Sequence, residues 1–520
     1  MAGLTAETTR LASIHLASVP EETSSCFAEL EHQSYRDSIR SVAWPECLIS
    51  WGWGLSSQYR QSGSSYSSIS GTSSSYMSNI SGYSPGSPSA GAADLGVEEL
   101  TEIAHKMVSD GYTQRMVQAF VSNGEQDGSL KTWFAELDID WVFQLSDKSR
   151  DDCGHQVGDK SASPSRLQEL VERWSRALII IVASVKELVA AVHETPTVGQ
   201  FGKASISAML VFVDAIVHTD DAEKLLAMLH VYICISNASH NISTMQVTSS
   251  DAQMIFNEIG ALLERKGNKL VGSLSKVMSD VKYTLMKDKG RWTIDTRDSW
   301  AITAGGGEVH NKTRLMMDYI VLMRKSHASA RNSGQIHDAA KIRDLLRETI
   351  DYLNDLLVRK SKMCTDPSLG YMFLLNNSYY VAQVCKALIS LNVYLPCAHH
   401  HGLKLRPECE KYMDSYIEIS WGQVMSCLSE SNFPRLLRRR INNSSLAKFQ
   451  SAFHKTCMTQ RFWKVPDPQL RHLLRKTIAK RVIPGYRDYL KEHPELEKQV
   501  SGGRNCPEAL EEMLGQLFEG

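Results

Sequence analysis

Residues 164–189 read PSRLQELVERWSRALIIIVASVKELV, and this stretch decides the fold class of the chain. Ser163 and Pro164 form a favourable helix start, with the serine as N-cap and the proline in the first turn. The apolar residues that follow recur at steps of three and four, which places them on one broad helix face. They are Leu167, Leu170, Val171, Trp174, Ala177, Leu178, Ile181, Val182, Val185, Leu188 and Val189.

The same periodicity recurs further along the chain. One set is Ile255, Ile259, Leu262 and Leu263, and a second is Ile342, Leu345, Leu346, Ile350, Leu353, Leu356 and Leu357. No segment shows the alternation of a strand, and no repeat of about 20–50 residues is present. Because amphipathic helices must bury their apolar faces on one another, we predict an all-α protein built from helical bundles.

The chain divides into three regions by composition. Residues 1–55 have no clear fold, and residues 56–94 are rich in Ser, Gly and Tyr. The second region has too little apolar surface to offset the entropy cost of folding, so we predict a disordered linker. Residues 95–520 form the predicted helical domain, with a basic C-terminal bundle at about 431–520.

Cysteine usage and hydropathy indicate a cytoplasmic protein. The eleven cysteines are scattered without a CxxC pair, which is typical of reduced thiols. The N-terminus lacks the pattern of a secretory signal. The most apolar stretch, residues 177–185, is far shorter than the ~20 residues that span a bilayer. Any membrane contact must therefore be peripheral.

The net charge of −1 hides a strong asymmetry. Fifteen basic residues lie between Arg435 and Lys491, with Asp467 and Asp488 as the only acids. Such asymmetry indicates a polyanionic partner.

The segment Trp463–Arg471 predicts how this charge is displayed. Pro466 and Pro468 end the preceding helix, and Asp467 can cap the next one with Pro468 in its first turn. We predict that Leu470, Leu473, Leu474, Thr477 and Ile478 form the buried stripe of that helix. The basic residues lie largely off this stripe, so we expect them to face an anionic surface.

Other readings of local motifs are weaker. Phe449, Phe453, Phe462 and Trp463 could stack on nucleic-acid bases, but aromatic residues at helical spacing more often form a core. Cys397, His399, His400, His401 and Cys409 match no standard zinc spacing. Gly305–Gly307 could cradle a phosphate but lacks the Lys-Ser/Thr of a P-loop. We predict no catalytic residue, no metal site, no cofactor and no enzymatic activity.

Several motifs in order resemble one family. Trp463–Arg471 and Val482–Arg487 resemble the C-terminal signature of the seventy-kilodalton subunit of the exocyst tethering complex, especially its plant members. Further resemblances are Ile103-Ala104, Met107, Gly111-Tyr112, Gly307–His310, Thr313-Arg314, Met317–Tyr319, Leu375–Val381 and Leu517–Gly520. The resemblance covers roughly residues 95–520.

This resemblance implies an elongated rod of stacked antiparallel helical bundles that tethers secretory vesicles to the plasma membrane in exocytosis. It implies binding of phosphatidylinositol bisphosphate or another anionic lipid near the C-terminus, with other exocyst subunits and small GTPases as protein partners. The predicted lipid-binding residues are Lys448, Arg471, Arg475, Lys476, Lys480, Arg481, Arg487 and Arg504. A short basic motif of the family falls at Ser501 and Arg504, where one of its two charges is kept.

Two alternatives stay open at this point. Residues 1–94 show no sustained heptads, whereas the family usually begins with a long coiled coil, so the chain could be a soluble scaffold, for example in plant immunity, that does not enter the exocyst. The basic window could instead bind nucleic acid, which the absence of a recognition motif disfavours.

Overall fold

Helices account for nearly all regular structure in the computed structural model. It describes residues 34–42, 91–122, 126–147, 164–191, 195–217, 224–247, 249–287, 306–389, 407–428 and 435–519. Within these residues there are eighteen α-helices and no β-strand, apart from an isolated antiparallel bridge between Lys464 and Glu519. The prediction of an all-α fold is therefore confirmed.

Eight helices form the N-terminal bundle. They are α1 (Tyr35–Ser41), α2 (Gly91–Ser109), α3 (Tyr112–Ser122), α4 (Gln126–Glu136), α5 (Trp141–Asp147), α6 (Pro164–Ala191), α7 (Thr195–Met209) and α8 (Val211–Val217). Helix α6 is the helix that residues 164–189 predict. Its Trp174 is fully buried, and the indole Nε1–H donates a 3.0 Å hydrogen bond to the carbonyl of Met209.

The other ten helices form a middle and a C-terminal bundle. The middle bundle contains α9 (Leu225–Ser243), α10 (Ser250–Lys287), α11 (Asn311–Asn332), α12 (Ile336–Ser361) and α13 (Pro367–Ile389). The C-terminal bundle contains α14 (Pro407–Ser426), α15 (Arg435–Gln460), α16 (Pro468–Glu492), α17 (Pro494–Val500) and α18 (Pro507–Gly515).

The helices pack mainly on neighbours in chain order. Helix α6 packs on α2, α7 and α9, helix α10 packs on α7, α9 and α12, and α13 joins α12 to α14. Among the described helices, those before α9 share no extensive packing with α13–α18. Serial packing of this kind gives a rod of stacked antiparallel bundles, as the family resemblance implied.

One described segment is long and apolar enough to cross a bilayer by length and composition. It runs from Thr195 to Val217 with a mean hydropathy of 1.4, and half of its most apolar window is buried inside the protein. Phe201 packs against Trp133, and Phe212 packs edge-on against Trp141. These contacts are those of core helices in the N-terminal bundle, and a core helix passes the same test.

The predicted regions before residue 95 are partly described. Residues 34–42 contain α1, which packs on α2 and α4, although the sequence left residues 1–55 without an assigned fold. Helix α2 begins at Gly91, four residues before the predicted domain boundary at 95. Most of the predicted linker, residues 56–90, lies outside the described residues.

The middle bundle contains a carboxyl group with an unusual pKa. Asp318 of α11 lies close to Tyr380 of α13, and the guanidinium of Arg314 lies over the Tyr380 ring at 5.6 Å from its centroid. Burial raises the pKa of Asp318 from 3.8 to about 7, and Arg314 opposes this only in part. Below about pH 7 the folded protein therefore favours the neutral carboxyl group.

This shift predicts a pH dependence of stability. Because the folded-state pKa of Asp318 lies above its unfolded value, its contribution to stability is present below pH ~4 and is lost as pH rises through about 7. We expect Asp318→Asn, which cannot ionise, to raise Tm relative to the unmodified protein more at pH 8 than at pH 5. Thermal unfolding followed by circular dichroism checks this. An equal difference in Tm at both pH values would contradict it.

Candidate functional site

Helix α16 begins as the sequence predicts. The Asp467 carboxylate accepts a 2.8 Å hydrogen bond from the backbone N–H of Leu470, and Pro468 occupies the first turn. Leu470, Leu474 and Ile478 are buried, whereas Leu473 and Thr477 are half-buried at the edges of the stripe. The helix therefore turns one side to the bundle and leaves the opposite side in solvent.

Two lysines stand on the solvent side of α16. Lys476 and Lys480 are one helical turn apart, so their side chains lie on the same face. Both are exposed, and neither has a carboxylate partner among the described residues. These ammonium groups are available to an external anion.

Helix α15 contributes a second pair of cations. Lys448 and Lys455 are exposed and two turns apart on the same face, also without ion-pair partners in the described part of the chain. They border a cleft of about 700 Å³ among the start of α13, α14 and α15, whose other lining residues include the hydroxyl-bearing Ser451, Thr456 and Thr459 and one acid, Asp366. Ammonium and hydroxyl groups together suit a phosphorylated, polyhydroxylated ligand.

Two of the predicted lipid-binding arginines instead hold the end of the chain. Glu519 pairs with Arg471 at 3.3 Å and with Arg475 at 2.6 Å. The Arg475 Nε–H also donates a 2.8 Å hydrogen bond to the carbonyl of Leu517. The charge-assisted bond from Arg475 holds the pKa of Glu519 below its ordinary value. These arginines have a structural role that periodicity alone does not predict.

Two further predicted arginines are also in ion pairs. Arg481 pairs with Asp414 of α14 at 2.9 Å. Arg487 lies 3.3 Å from Glu508 and 3.4 Å from Glu511, both on α18. The expectation of a surface with almost no acids holds only within residues 435–491, because these carboxylates come from outside that window.

The free cations form a smaller surface than the sequence predicted. Arg504, between α17 and α18, is exposed and has no ion-pair partner among the described residues. We use the name basic C-terminal surface for five cations of α15, α16 and the segment before α18 that are each exposed and have no ion-pair partner among the described residues, Lys448, Lys455, Lys476, Lys480 and Arg504. The predicted set did not include Lys455, although its spacing of seven residues from Lys448 is the signal that could have identified it.

Several family-like motifs meet at a joint between the middle bundle and the segment that precedes α16. The joint consists of Gly306, Gly307, Asn376, Asn377 and Lys464. The Lys464 N–H donates a 2.9 Å hydrogen bond to the Gly306 carbonyl. The Asn376 amide donates to the carbonyls of Gly307 and Lys464 at 2.8 and 2.9 Å. The joint thus connects the middle bundle to the chain entering α16.

Asn377 completes the joint on the side of α11. Its amide oxygen accepts hydrogen bonds from the Thr313 hydroxyl at 2.6 Å and from the His310 N–H at 3.1 Å. Its amide nitrogen donates to the Phe373 carbonyl at 2.7 Å. Asn376 and Asn377 are almost fully buried. These polar contacts fix the position of the 306–310 segment against α13.

The glycines of the joint have a steric role. Gly306 has φ +61°, and a Cβ built there would lie 2.7 Å from the Phe462 carbonyl oxygen. Only glycine allows this approach of two backbones. The Gly306 and Gly307 carbonyls accept hydrogen bonds within the joint, so this loop has a packing role and the geometry of a phosphate cradle is not needed to explain it.

The aromatic residues near the basic surface are mostly core residues. Phe449, Phe453 and Trp463 are buried, and Phe449 stacks on Tyr486 with ring centroids 4.6 Å apart. Phe462 is 71% exposed. Three of the four aromatic residues considered for base stacking are therefore inaccessible to a nucleic acid.

Most of the histidine and cysteine cluster lies outside the part of the chain that the structure describes. Residues 397–401 lie outside the described residues, and Cys409 is buried on α14. Within the described part of the chain, no group of three or more His, Cys, Asp or Glu side chains is arranged to hold a metal ion.

Comparison with known proteins gives one family. Residues 173–516 match the family model of the C-terminal region of the Exo70 exocyst complex subunit. Exocyst complex component EXO70C1 of Arabidopsis thaliana is 25% identical over 344 residues, which are 59% of this chain and 49% of that protein. EXO70E2 of the same plant is 25% identical over 455 residues, or 80% of this chain and 64% of its own length.

A solved structure is similar over much of its length. The crystal structure of the S. cerevisiae exocyst component Exo70p aligns with 82% of this chain and 89% of its own, at 14% identity and a TM-score of 0.36. The chain spans about half the length of EXO70C1 and less than two thirds of EXO70E2.

Proposed function

Because this chain belongs to the Exo70 family of exocyst subunits, we propose that it is a non-enzymatic tether that holds secretory vesicles at the plasma membrane. The observation that carries the proposal is the basic C-terminal surface, whose lysines on α15 and α16 are exposed and have no carboxylate partner within the part of the chain that the structure describes. In this proposal the protein is cytoplasmic and associates peripherally with the membrane. Its partners are an anionic lipid, other exocyst subunits and small GTPases.

The strength of lipid binding follows from the number of free cations. Each Lys or Arg close to an anionic leaflet contributes about 1 kcal/mol. Four lysines acting together contribute about 4 kcal/mol, which corresponds to a Kd of about 1 mM. Stable residence at the membrane then requires a second contact, and linkage to other exocyst subunits supplies one through avidity.

The lipid that suits this surface is a phosphoinositide such as phosphatidylinositol bisphosphate. A headgroup with phosphates and hydroxyls would meet ammonium groups at Lys448 and Lys455 and hydroxyl groups in the adjoining cleft. Lys476 and Lys480 would contact further anionic headgroups. Arg471 and Arg475 have no direct role in this proposal because Glu519 already pairs with them.

Charge reversal tests this assignment. We expect Lys448→Glu, Lys455→Glu, Lys476→Glu and Lys480→Glu together to weaken binding to vesicles containing phosphatidylinositol bisphosphate by at least tenfold, because about 4 kcal/mol of attraction is lost. Vesicle co-sedimentation of the full chain measures this, with pure phosphatidylcholine vesicles as the lipid control.

A charge-matched variant separates the local effect from net charge. Lys106, Lys131, Lys186 and Lys362 are exposed, have no ion-pair partner in the described structure and lie outside the C-terminal bundle. We expect their replacement by glutamate to change vesicle binding less than threefold. If both quadruple variants bind as the unmodified chain does, the basic C-terminal surface is not the lipid contact.

A soluble interaction scaffold is the second candidate function. The ion pairs of Arg471, Arg475, Arg481 and Arg487 reduce the free positive charge, which favours a protein partner over a membrane. Affinity purification from native tissue distinguishes the two functions. Recovery of the other exocyst subunits in stoichiometric amounts supports the tether, and their absence supports the scaffold. Nucleic-acid binding is less well supported because Phe449, Phe453 and Trp463 are buried.

A further inference from the structure

Helix α1 is held on the N-terminal bundle in the manner of a bound peptide. It has seven residues, and the hydrogen bonds that hold it on the bundle join positions 75 to 134 residues apart in sequence. Isolated helices of this length are unstable in water. Its helical state therefore depends on the surface that receives it.

The bundle caps both ends of this helix. At the N-terminus, the Glu136 carboxylate accepts hydrogen bonds from the Ser34 hydroxyl and from the backbone N–H groups of Tyr35 and Arg36. At the C-terminus, the Arg176 guanidinium donates a 3.3 Å hydrogen bond to the Val42 carbonyl. An acid at the N-terminus and a cation at the C-terminus complement the helix dipole. The two caps set the length of helix that fits between them.

A buried carboxylate recognises the arginines of the helix. The Asp138 side chain is 3% exposed and pairs with Arg36 at 2.7 Å and with Arg40 at 2.6 Å. Arg173 of α6 pairs with the same carboxylate at 2.8 Å. Burial works against ionisation of Asp138, but the hydrogen bonds from Arg40 and Arg36 hold its pKa below the ordinary value.

Apolar and aromatic contacts complete the site. Tyr35 and Ile39 are buried one turn apart. The Tyr35 ring lies against Tyr112 with centroids 5.7 Å apart, and its hydroxyl donates a 2.7 Å hydrogen bond to Asp110. The groove thus contacts one aromatic residue, one aliphatic residue and two arginines of α1, and their order along the helix is Tyr35, Arg36, Ile39 and Arg40.

We propose that this groove, formed by Asp110, Tyr112, Glu136, Asp138 and Arg176, is an exchangeable peptide-binding site. Its ligand is the short basic helix of residues 34–42, bound in cis here and also accepted in trans. Arg173 keeps Asp138 paired when the helix leaves, so the empty groove does not contain an isolated buried charge. The site therefore persists without its ligand. This inference is independent of the proposed membrane function.

Binding of a synthetic peptide tests the proposal. In the full chain, Tyr35→Ala, Arg36→Glu and Arg40→Glu together vacate the groove. A fluorescein-labelled peptide of residues 31–45 is then titrated with this vacated chain, and fluorescence anisotropy is recorded. We expect saturable binding to the vacated chain and at least tenfold weaker binding to the unmodified chain, in which the cis helix competes.

Substitutions in the groove test where the peptide binds. Asp138→Asn, added to the vacated chain, removes the carboxylate charge, and asparagine tolerates the φ of +61° at this position. We expect it to weaken peptide binding at least tenfold, while Asp251→Asn, at an exposed position on α10, leaves binding unchanged. A peptide with Arg36→Glu and Arg40→Glu is expected not to bind.

Three results would overturn the proposal. In the first, the peptide shows no saturable binding to a vacated chain whose circular dichroism shows intact helices. In the second, it binds the vacated and unmodified chains equally, and in the third, Asp138→Asn does not weaken its binding.

Discussion

Phe518→Ala is expected to lower the free energy of unfolding of the C-terminal bundle by about 3–5 kcal/mol. The Phe518 ring is fully buried and lies edge-on to Tyr416 at 6.4 Å. Its neighbours Leu517 and Glu519 supply the oxygen atoms that hold Arg475. Loss of the ring leaves a cavity and also weakens the attachment of the tail, so the effect lies at the upper end for a single residue.

Urea unfolding and hydrogen exchange measure this effect. We expect the midpoint of unfolding to fall and amide protection in α16 and α18 to decrease, since these helices pack on each other and the tail is bonded to α16. Phe462→Ala is the matched control, because this ring is 71% exposed and its removal should change stability by less than about 0.5 kcal/mol. Equal effects of the two substitutions would show that the tail does not stabilise the bundle.

Asn377→Ala is expected to have the second-largest effect and to lower the free energy of unfolding by about 3 kcal/mol. The amide oxygen of Asn377 satisfies both the Thr313 hydroxyl and the His310 N–H. Alanine leaves these donors without that acceptor in a buried site, and each unsatisfied group costs about 1–3 kcal/mol. Chemical denaturation measures the loss, with Asn332→Ala at the exposed end of α11 as the control.

The location of the loss distinguishes a joint from general destabilisation. We expect hydrogen exchange in Asn377→Ala to rise first in residues 306–313 and at the start of α13. If protection is lost uniformly along the rod, or if the stability change matches that of Asn332→Ala, the role assigned to the joint is wrong.

Sequence periodicity predicted the long amphipathic helices and the centres of their buried faces, but not the short helix α1. The stripe from Val171 to Leu188 is buried as predicted, because a period of 3.6 residues determines which side chains share a face. Asp467 and Pro468 start α16 as predicted because capping depends on local chemistry. The family resemblance is confirmed by the family model over residues 173–516.

Periodicity does not determine which side chains meet across helices. Arg475 and Lys476 are adjacent in a basic run, yet one faces Glu519 and the other faces solvent. The carboxylate that pairs with Arg475 lies 44 residues away, so its position depends on how the tail folds back. The lipid-binding assignments therefore remain predictions, and the structure directs attention to the lysines.

The contacts between α1 and its groove also could not be predicted from periodicity. Nothing in the local sequence distinguishes Arg36 and Arg40 from other arginines, and their partner Asp138 lies about 100 residues later. Asp138 also adopts a positive φ, which composition does not reveal. A short helix that is stable only on its receptor is also a weak signal for any method based on propensity.

The joint has a consequence for biosynthesis. Segment 306–310 emerges from the ribosome long before its hydrogen-bond partner Lys464 is translated. Until then, one of the two carbonyl acceptors of Asn376 is absent, and so is the backbone of residues 462–464 against which Gly306 packs. Because contacts between distant positions form slowly, the middle bundle of a nascent chain should stay incompletely locked and depend on chaperones until translation of the last helices.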